Sequence, residues 1–227
     1  MHHVLVRGTT QSPRGWDRLA AILTAGGHRV TVVDLPTNRP ELSAADYAAV
    51  ASEQVTGAAE DLTIVAHSAA GLLVPALANR LHAQRVVWLA AAIPDFKGGA
   101  SFAEQINAGA AQIFNDEWLA LSLSPEAEMD PVISTYFLFH DCDYETLRWA
   151  LETTELLNLR SVYAEPPTPL PPGVESVAIV PRHDRTLRPS WMRQAATVQL
   201  GVEPVEVDGG HCPYVSHPEA VAAAITA

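Results

Sequence analysis

The stretch 61-DLTIVAHSAAGLL-73 runs in immediate succession through an apolar segment, a serine set among small residues and the opening of a helical pattern. Asp61 to Ala66 reads as a buried strand, and Leu72 to Leu81 reads as a helix. Ser68 therefore stands at a sharp strand-to-helix turn. Such a turn crowds the backbones two positions before and after the serine, so those positions need small residues. Ala66 and Ala70 take the places that glycine holds in the usual G-x-S-x-G pattern. The turn lifts the Ser68 hydroxyl off the sheet and aims the Ala69 amide where an oxyanion would form. A serine here also suits a plain helix N-cap. The stretch alone leaves both readings open.

Working outward, strand and helix signals alternate on either side. Upstream lie a strand at His3–Val6, a helix over Pro13–Ala25 stopped by Gly26-Gly27, a strand at Arg29–Val33 and a helix from Ser43 to near Ala59. Downstream comes a fourth strand, Gln84–Ala91. The strands are apolar throughout rather than alternating, the mark of a parallel sheet covered on both faces. From Pro94 to roughly Gly173 the strand signal stops, and aromatic residues sit in short helical patterns that end in the Pro-rich connector 166–172. The alternation then resumes with strand Glu175–Val180, helix Pro189–Val198, strand Val202–Val207 and helix Pro218–Ile225. The expected architecture is an α/β fold with a mostly parallel six-stranded sheet and helices on both faces. Residues 1–93 and 174–227 form its core, and 94–173 form a helical cap inserted after strand four, roughly 75 residues long.

Composition narrows the functions available. The 227 residues carry 14 basic and 26 acidic side chains, a net charge of −12, and thirteen of the basic ones are Arg. That balance disfavours nucleic acid and anionic membrane as partners. Apolar residues make up 48% and mean hydropathy is +0.08, which argues against disorder. Two cysteines, Cys142 and Cys212, are too few for a disulfide scaffold or a zinc site. With no secretion signal in MHHVLVRG and no long apolar run, the expectation is a cytoplasmic protein acting on a small molecule. The oligomeric state stays open, a homodimer being one form.

Two further motifs bear on Ser68. Beyond the last strand comes 208-DGGHCP-213, a glycine-flanked His211 where a general base must hang to reach a neighbouring serine. After strand five comes 181-PRHDRT-186, which places Asp184 on the loop between. An aspartate there can fix the tautomer of His211. All three sit at strand carboxyl ends, where open α/β sheets bind ligands. The order Ser68, Asp184, His211 is that of the triads of the α/β-hydrolase fold.

The chain resembles that superfamily along nearly its whole length, and is similar to small esterases related to the plant hydroxynitrile lyase and methylesterase group. The carriers are VLVRGTTQSPRGW, GGHRVTVVDLP, IVAHSAAGLLV, HDRTLRPSW and GGHCPYVSHPEAVAAAI. The resemblance implies Ser68 as nucleophile, His211 as base and Asp184 as acid, with the backbone N–H groups of Thr9 and Ala69 as oxyanion donors. It also implies the strand order 2-1-3-4-5-6. Where the family usually has His-Gly, this chain has Arg7-Gly8, either a packing or ion-pair change or a contact for an anionic substrate. Its lyase members carry Thr at the place of Gly8 and Lys at that of Cys212, so cyanohydrin cleavage is disfavoured.

Other residues compete for roles. Asp95 is an alternative acid, and Asp208 would need a loop reversal to reach His211. His183 reads as a wall or surface residue, and His67 as packing under the turn. His140, Asp141 and Asp143 lack a second cluster for a metal site. Trp118, Phe137 and Phe139 are candidates for an apolar substrate pocket, with Cys212 beside the base. The reading reached is a serine hydrolase cleaving a small, largely apolar carboxylic ester, without cofactor or metal. A biosynthetic cyclase, thioesterase or lyase, or a silent ligand-binding relative, remains as an alternative on the same fold.

Overall fold

A computed structural model describes residues 1–57, 61–121 and 127–227. The chain enters through β1 (His2–Val6), a 3₁₀ turn at Pro13–Trp16 and α1 (Asp17–Ala25), then β2 (Arg29–Val32) and α2 (Ala44–Gln54). Next come β3 (Leu62–His67), a 3₁₀ segment at Ser68–Leu73, α3 (Val74–Leu81) and β4 (Arg85–Leu89). Between β4 and β5 lie α4 (Phe102–Ile113), α5 (Asp116–Ala120), α6 (Pro131–Phe137), α7 (Tyr144–Glu152) and α8 (Arg160–Ala164). The chain closes with β5 (Glu175–Pro181), α9 (Pro189–Ala195), β6 (Val205–Val207), α10 (Pro213–Ser216) and α11 (Pro218–Thr226).

The six strands form one sheet in the order β2-β1-β3-β4-β5-β6, the order that the family resemblance implied. Every pairing is parallel, with Val4 opposite Ile64 and Val65 opposite Val87 at the centre. Because successive strand residues face opposite sides, the apolar strands feed two cores. Val4, Val6, Ile64 and Trp88 pack with Tyr47 of α2 and Leu77 of α3. Leu5, Val65, Val87 and Ile179 pack with Leu19 of α1 and Val221 of α11. None of the described helices is long and apolar enough to cross a membrane.

Three elements depart from expectation. The helix after Ser43 begins with a capping box, the Ser43 hydroxyl accepting from the Asp46 amide at 3.1 Å and the Asp46 carboxylate accepting from the Ser43 amide at 2.9 Å. It ends at Gln54, where Val55 turns extended, and the expected end near Ala59 lies outside the described residues. The helix expected from Leu72 starts instead as a 3₁₀ segment at Ser68. β6 spans only Val205–Val207, because Pro204 has no N–H to give the ladder.

Candidate active site

β3 delivers the chain to Ser68 with its backbone in the left-handed region, at φ +55°. A non-glycine residue there costs of order 1–3 kcal/mol and persists only where its surroundings hold it. The Ser68 carbonyl accepts from the Ala92 amide at 2.9 Å, tying the turn to the chain beyond β4. A Cβ built at Gly71 would overlap the Ala92 carbonyl oxygen, so glycine is needed at that place as well. Ala66 and Ala70 are both fully buried under the turn.

His211 lies in the loop after β6, with its Nε2 3.0 Å from Ser68 Oγ and its Nδ1 2.7 Å from Asp184 Oδ2. Asp184, just past β5, is held in turn by the Thr186 amide at 2.7 Å and the Leu187 amide at 3.0 Å, both donating to Oδ1. Its carboxylate is fully buried and receives hydrogen bonds on both oxygens. A carboxylate only accepts, so Nδ1 of His211 carries the proton and Nε2 is left to accept from the Ser68 hydroxyl. The sequence candidates Ser68, Asp184 and His211 thus meet in one hydrogen-bonded chain. Such a chain draws a proton off a hydroxyl as the oxygen attacks an electrophile.

Thr9 and Ala69 line a cavity of about 570 Å³ together with Ser68. Ala69 lies in the first turn of the 3₁₀ segment, where amides have no partner within the helix. The cavity wall is mostly apolar, with Phe102 and Ile106 of α4, Phe114, Trp118 of α5, Leu156, Leu157 and Leu159, and Tyr163 of α8, and Asn158, Arg160 and Thr186 add polar groups. Of the three aromatic candidates, Trp118 lines this cavity. Phe137 and Phe139 do not line this cavity; both are buried in the core cluster with Leu5 and Trp16. Their spacing in a helical pattern fits a core contact as well as a wall. Cys212 is also core, and burial raises its thiol well above the ordinary range, leaving it neutral. The wall residues Phe102, Ile106, Phe114, Leu156, Leu157, Leu159 and Tyr163 had no sequence signal beyond being apolar or aromatic, and Asn158 had none.

The competing residues have other partners. Asp208 pairs with Arg182 at 2.7 Å, and Asp95 holds the Gly98 amide at 2.9 Å. His183 gives its amide to the Gly209 carbonyl at 3.1 Å. Asp141 accepts from the Gly210 amide at 2.8 Å and the Ser216 hydroxyl at 2.6 Å, bracing the His211 loop. No group of three or more His, Cys, Asp or Glu suited to a metal occurs among the described residues. Arg7 is fully buried and ion-paired to Glu155 at 2.9 Å rather than facing this cavity. His67 is buried below the turn and donates from Nε2 to the His211 carbonyl at 2.8 Å. Burial first, then the nearby His211, holds His67 well below the ordinary histidine range.

Comparison with known proteins sets this geometry in context. The profile of a family described as alpha/beta hydrolase family matches residues 4–224. Salicylic acid-binding protein 2 of Nicotiana tabacum is 30% identical over 150 residues, a match spanning 60% of this chain and 56% of that protein's length. Polyneuridine aldehyde esterase superposes with a TM-score of 0.78 at 19% identity, covering 99% of this chain and 97% of that one. A methylesterase from Arabidopsis gives 0.73 at 18% identity, with 98% and 96% covered. A pyrethroid hydrolase from Sphingobium faniae gives 0.74 at 18% identity, with 100% and 96% covered. At such identities the superpositions establish the fold alone.

Proposed function

The chain belongs to the alpha/beta hydrolase family, and from that premise we propose that it is a serine hydrolase cleaving a small, largely apolar carboxylic ester through an acyl-enzyme on Ser68. The observation that carries this reading is the unbroken run Ser68 Oγ to His211 Nε2 at 3.0 Å and His211 Nδ1 to Asp184 Oδ2 at 2.7 Å. The esterase names among proteins of the same fold agree with it.

In the first step Ser68 Oγ bonds to the ester carbonyl carbon as its proton passes to His211 Nε2. The carbonyl oxygen becomes an oxyanion, and the Thr9 and Ala69 amides donate to it. Asp184 keeps Nδ1 protonated and stabilises the imidazolium. When the C–O bond to the alcohol breaks, His211 returns the proton to the departing oxygen and Ser68 is left acylated. Water, deprotonated by the same Nε2, then attacks the acyl carbon, and as the bond to Ser68 Oγ breaks His211 gives that proton to Oγ, releasing the acid and the free serine. The helices between β4 and β5 act as a cap, and the apolar wall of Phe102, Phe114, Trp118 and Tyr163 suits an apolar body on the acyl or alcohol side.

A panel of chromogenic esters of increasing chain length tests the reading. Wild type should turn over the smaller members, and Ser68→Ala should cut kcat by roughly 10⁴–10⁶-fold, as for other triads. Ester turnover by Ser68→Ala within a few-fold of wild type would refute the assignment of the nucleophile. Activity confined to a thioester or a cyclisation substrate would instead assign the pocket to biosynthetic chemistry.

A further inference from the structure

The chain between β1 and α1 carries Thr9, and its outer side is bound by the segment that follows α7. The Ser12 amide donates to the Thr153 carbonyl at 2.7 Å, the Glu155 amide to the Thr10 carbonyl at 3.2 Å, and the Leu157 amide to the Thr9 carbonyl at 2.8 Å. Gln11 and Thr154 form an isolated antiparallel bridge within this short ladder. The Gln11 side chain adds a bond from Nε2 to Thr153 Oγ1 at 2.9 Å. Arg7 joins the two strands from inside. Its guanidinium, fully buried, donates to the Gln11 carbonyl at 2.6 Å and the Glu155 carbonyl at 3.4 Å, and pairs with the Glu155 carboxylate at 2.9 Å.

We propose that Arg7 and Glu155 are positioning residues for the reaction, clamping the 7–12 turn to the 153–157 segment so that the Thr9 amide is held ready for the oxyanion. This rests on the reading of Ser68 as nucleophile and Thr9 as oxyanion donor.

Two features give the clamp its purpose. Gly8, beside Thr9, leaves no room to shift: a Cβ there would lie 2.8 Å from Ser68 Cβ and 3.0 Å from His67 Nδ1. The turn is therefore seated against the nucleophile on one side and must be held on the other. The segment that holds it continues directly into the cavity wall at Leu156 and Leu157. A substrate body pressed on that wall thus bears on the strand that sets the Thr9 peptide. Oxyanion donors act only when already aligned, and a displacement near 1 Å costs on the order of a hundredfold. A buried guanidinium that loses its carboxylate also carries an uncompensated charge, so the pair resists opening.

The test is kcat per active site, the sites being counted by stoichiometric titration with a fluorophosphonate. Arg7→Met should lower kcat per titrated site about ten- to a hundredfold while KM for a short ester moves less than about threefold. Arg7→Lys should recover part of that loss. If Arg7→Met does not fold, Glu155→Ala, altered at a half-exposed side chain, decides by the same measure. A purely structural role would reduce the number of titrated sites and leave kcat per site at the wild-type value, and that result overturns the proposal. Wild type that takes up no fluorophosphonate at all would overturn the hydrolase reading itself, and the clamp with it.

Discussion

At Asp184 each carboxylate oxygen has its own task. Oδ1 accepts the amides of Thr186 and Leu187, and Oδ2 accepts His211 Nδ1. In Asp184→Asn the two amides require the carbonyl oxygen on their side, so the NH₂ group faces His211. That forces Nδ1 to accept and Nε2 to carry the proton, the tautomer unable to take a proton from Ser68. The backbone hardly moves, yet kcat should fall about 10⁴-fold, the size seen for tautomer inversion in other triads. Ester kinetics of this variant check it, and a rate within tenfold of wild type would contradict the role. Ser68, Asp184 and His211 could be singled out because each lies just beyond the carboxyl end of a strand, on a turn or loop among small or turn-forming neighbours. The places of Phe137 and Phe139 could not be read. A buried aromatic on a short helix has one sequence signature whether it faces a cavity or the core, and here both face the core.

At the scale of elements, β1 is the sheet's most burdened strand: it lies between β2 and β3 and leads into the turn carrying Thr9. It also holds His3, fully buried, with neither ring nitrogen hydrogen-bonded among the described residues and its ring edge-on to His28 at 4.9 Å. Burial first, then His28, the chain's amino terminus, Arg85 and His2, pushes His3 down from 6.5 to about 4. The folded protein therefore keeps His3 neutral where the unfolded chain would protonate it. Stability from this residue is complete above pH 6.5 and is lost as the pH falls from 6.5 towards 4. Between pH 7.5 and 5 the loss should be about 2 kcal/mol, and His3→Leu should abolish that share. Urea unfolding at the two pH values measures it; parallel losses in both proteins would contradict it. The central strands β1, β3 and β4 were legible from their mainly apolar runs, and β2 and β6, broken by Thr31 and Glu206, from their place in the alternation. The ladder between residues 9–12 and 153–157 was not, since neither stretch has strand composition and the pairing joins parts of the chain far apart in sequence.

Across the whole molecule, the sheet's carboxyl edge gathers groups from six separated stretches: Thr9, Ser68 and Ala69, Ala92, α4 to α5, Leu156 to Ala164, and Thr186 with Leu187. The sheet order came only from the family resemblance, whereas the alternation of strands and helices and the helical stretch after β4 could be read from local pattern. The cavity could not, because its shape depends on how α4, α5 and α8 dock over the sheet, and docking leaves no local periodicity. Although the net charge is −12, the cavity lining holds no carboxylate; its polar members are Thr9, Ser68, Asn158, Arg160, Tyr163 and Thr186. The central claim is covalent: Ser68 carries the acyl group of an ester during turnover. Acid quenching of wild type during steady-state turnover of a slowly deacylating chromogenic ester, followed by peptide mass spectrometry, measures it directly. The account predicts one acyl mass per chain, on the peptide containing Ser68, and none in Ser68→Ala. An acyl group mapped to another residue, or hydrolysis at the wild-type rate by Ser68→Ala, would contradict it.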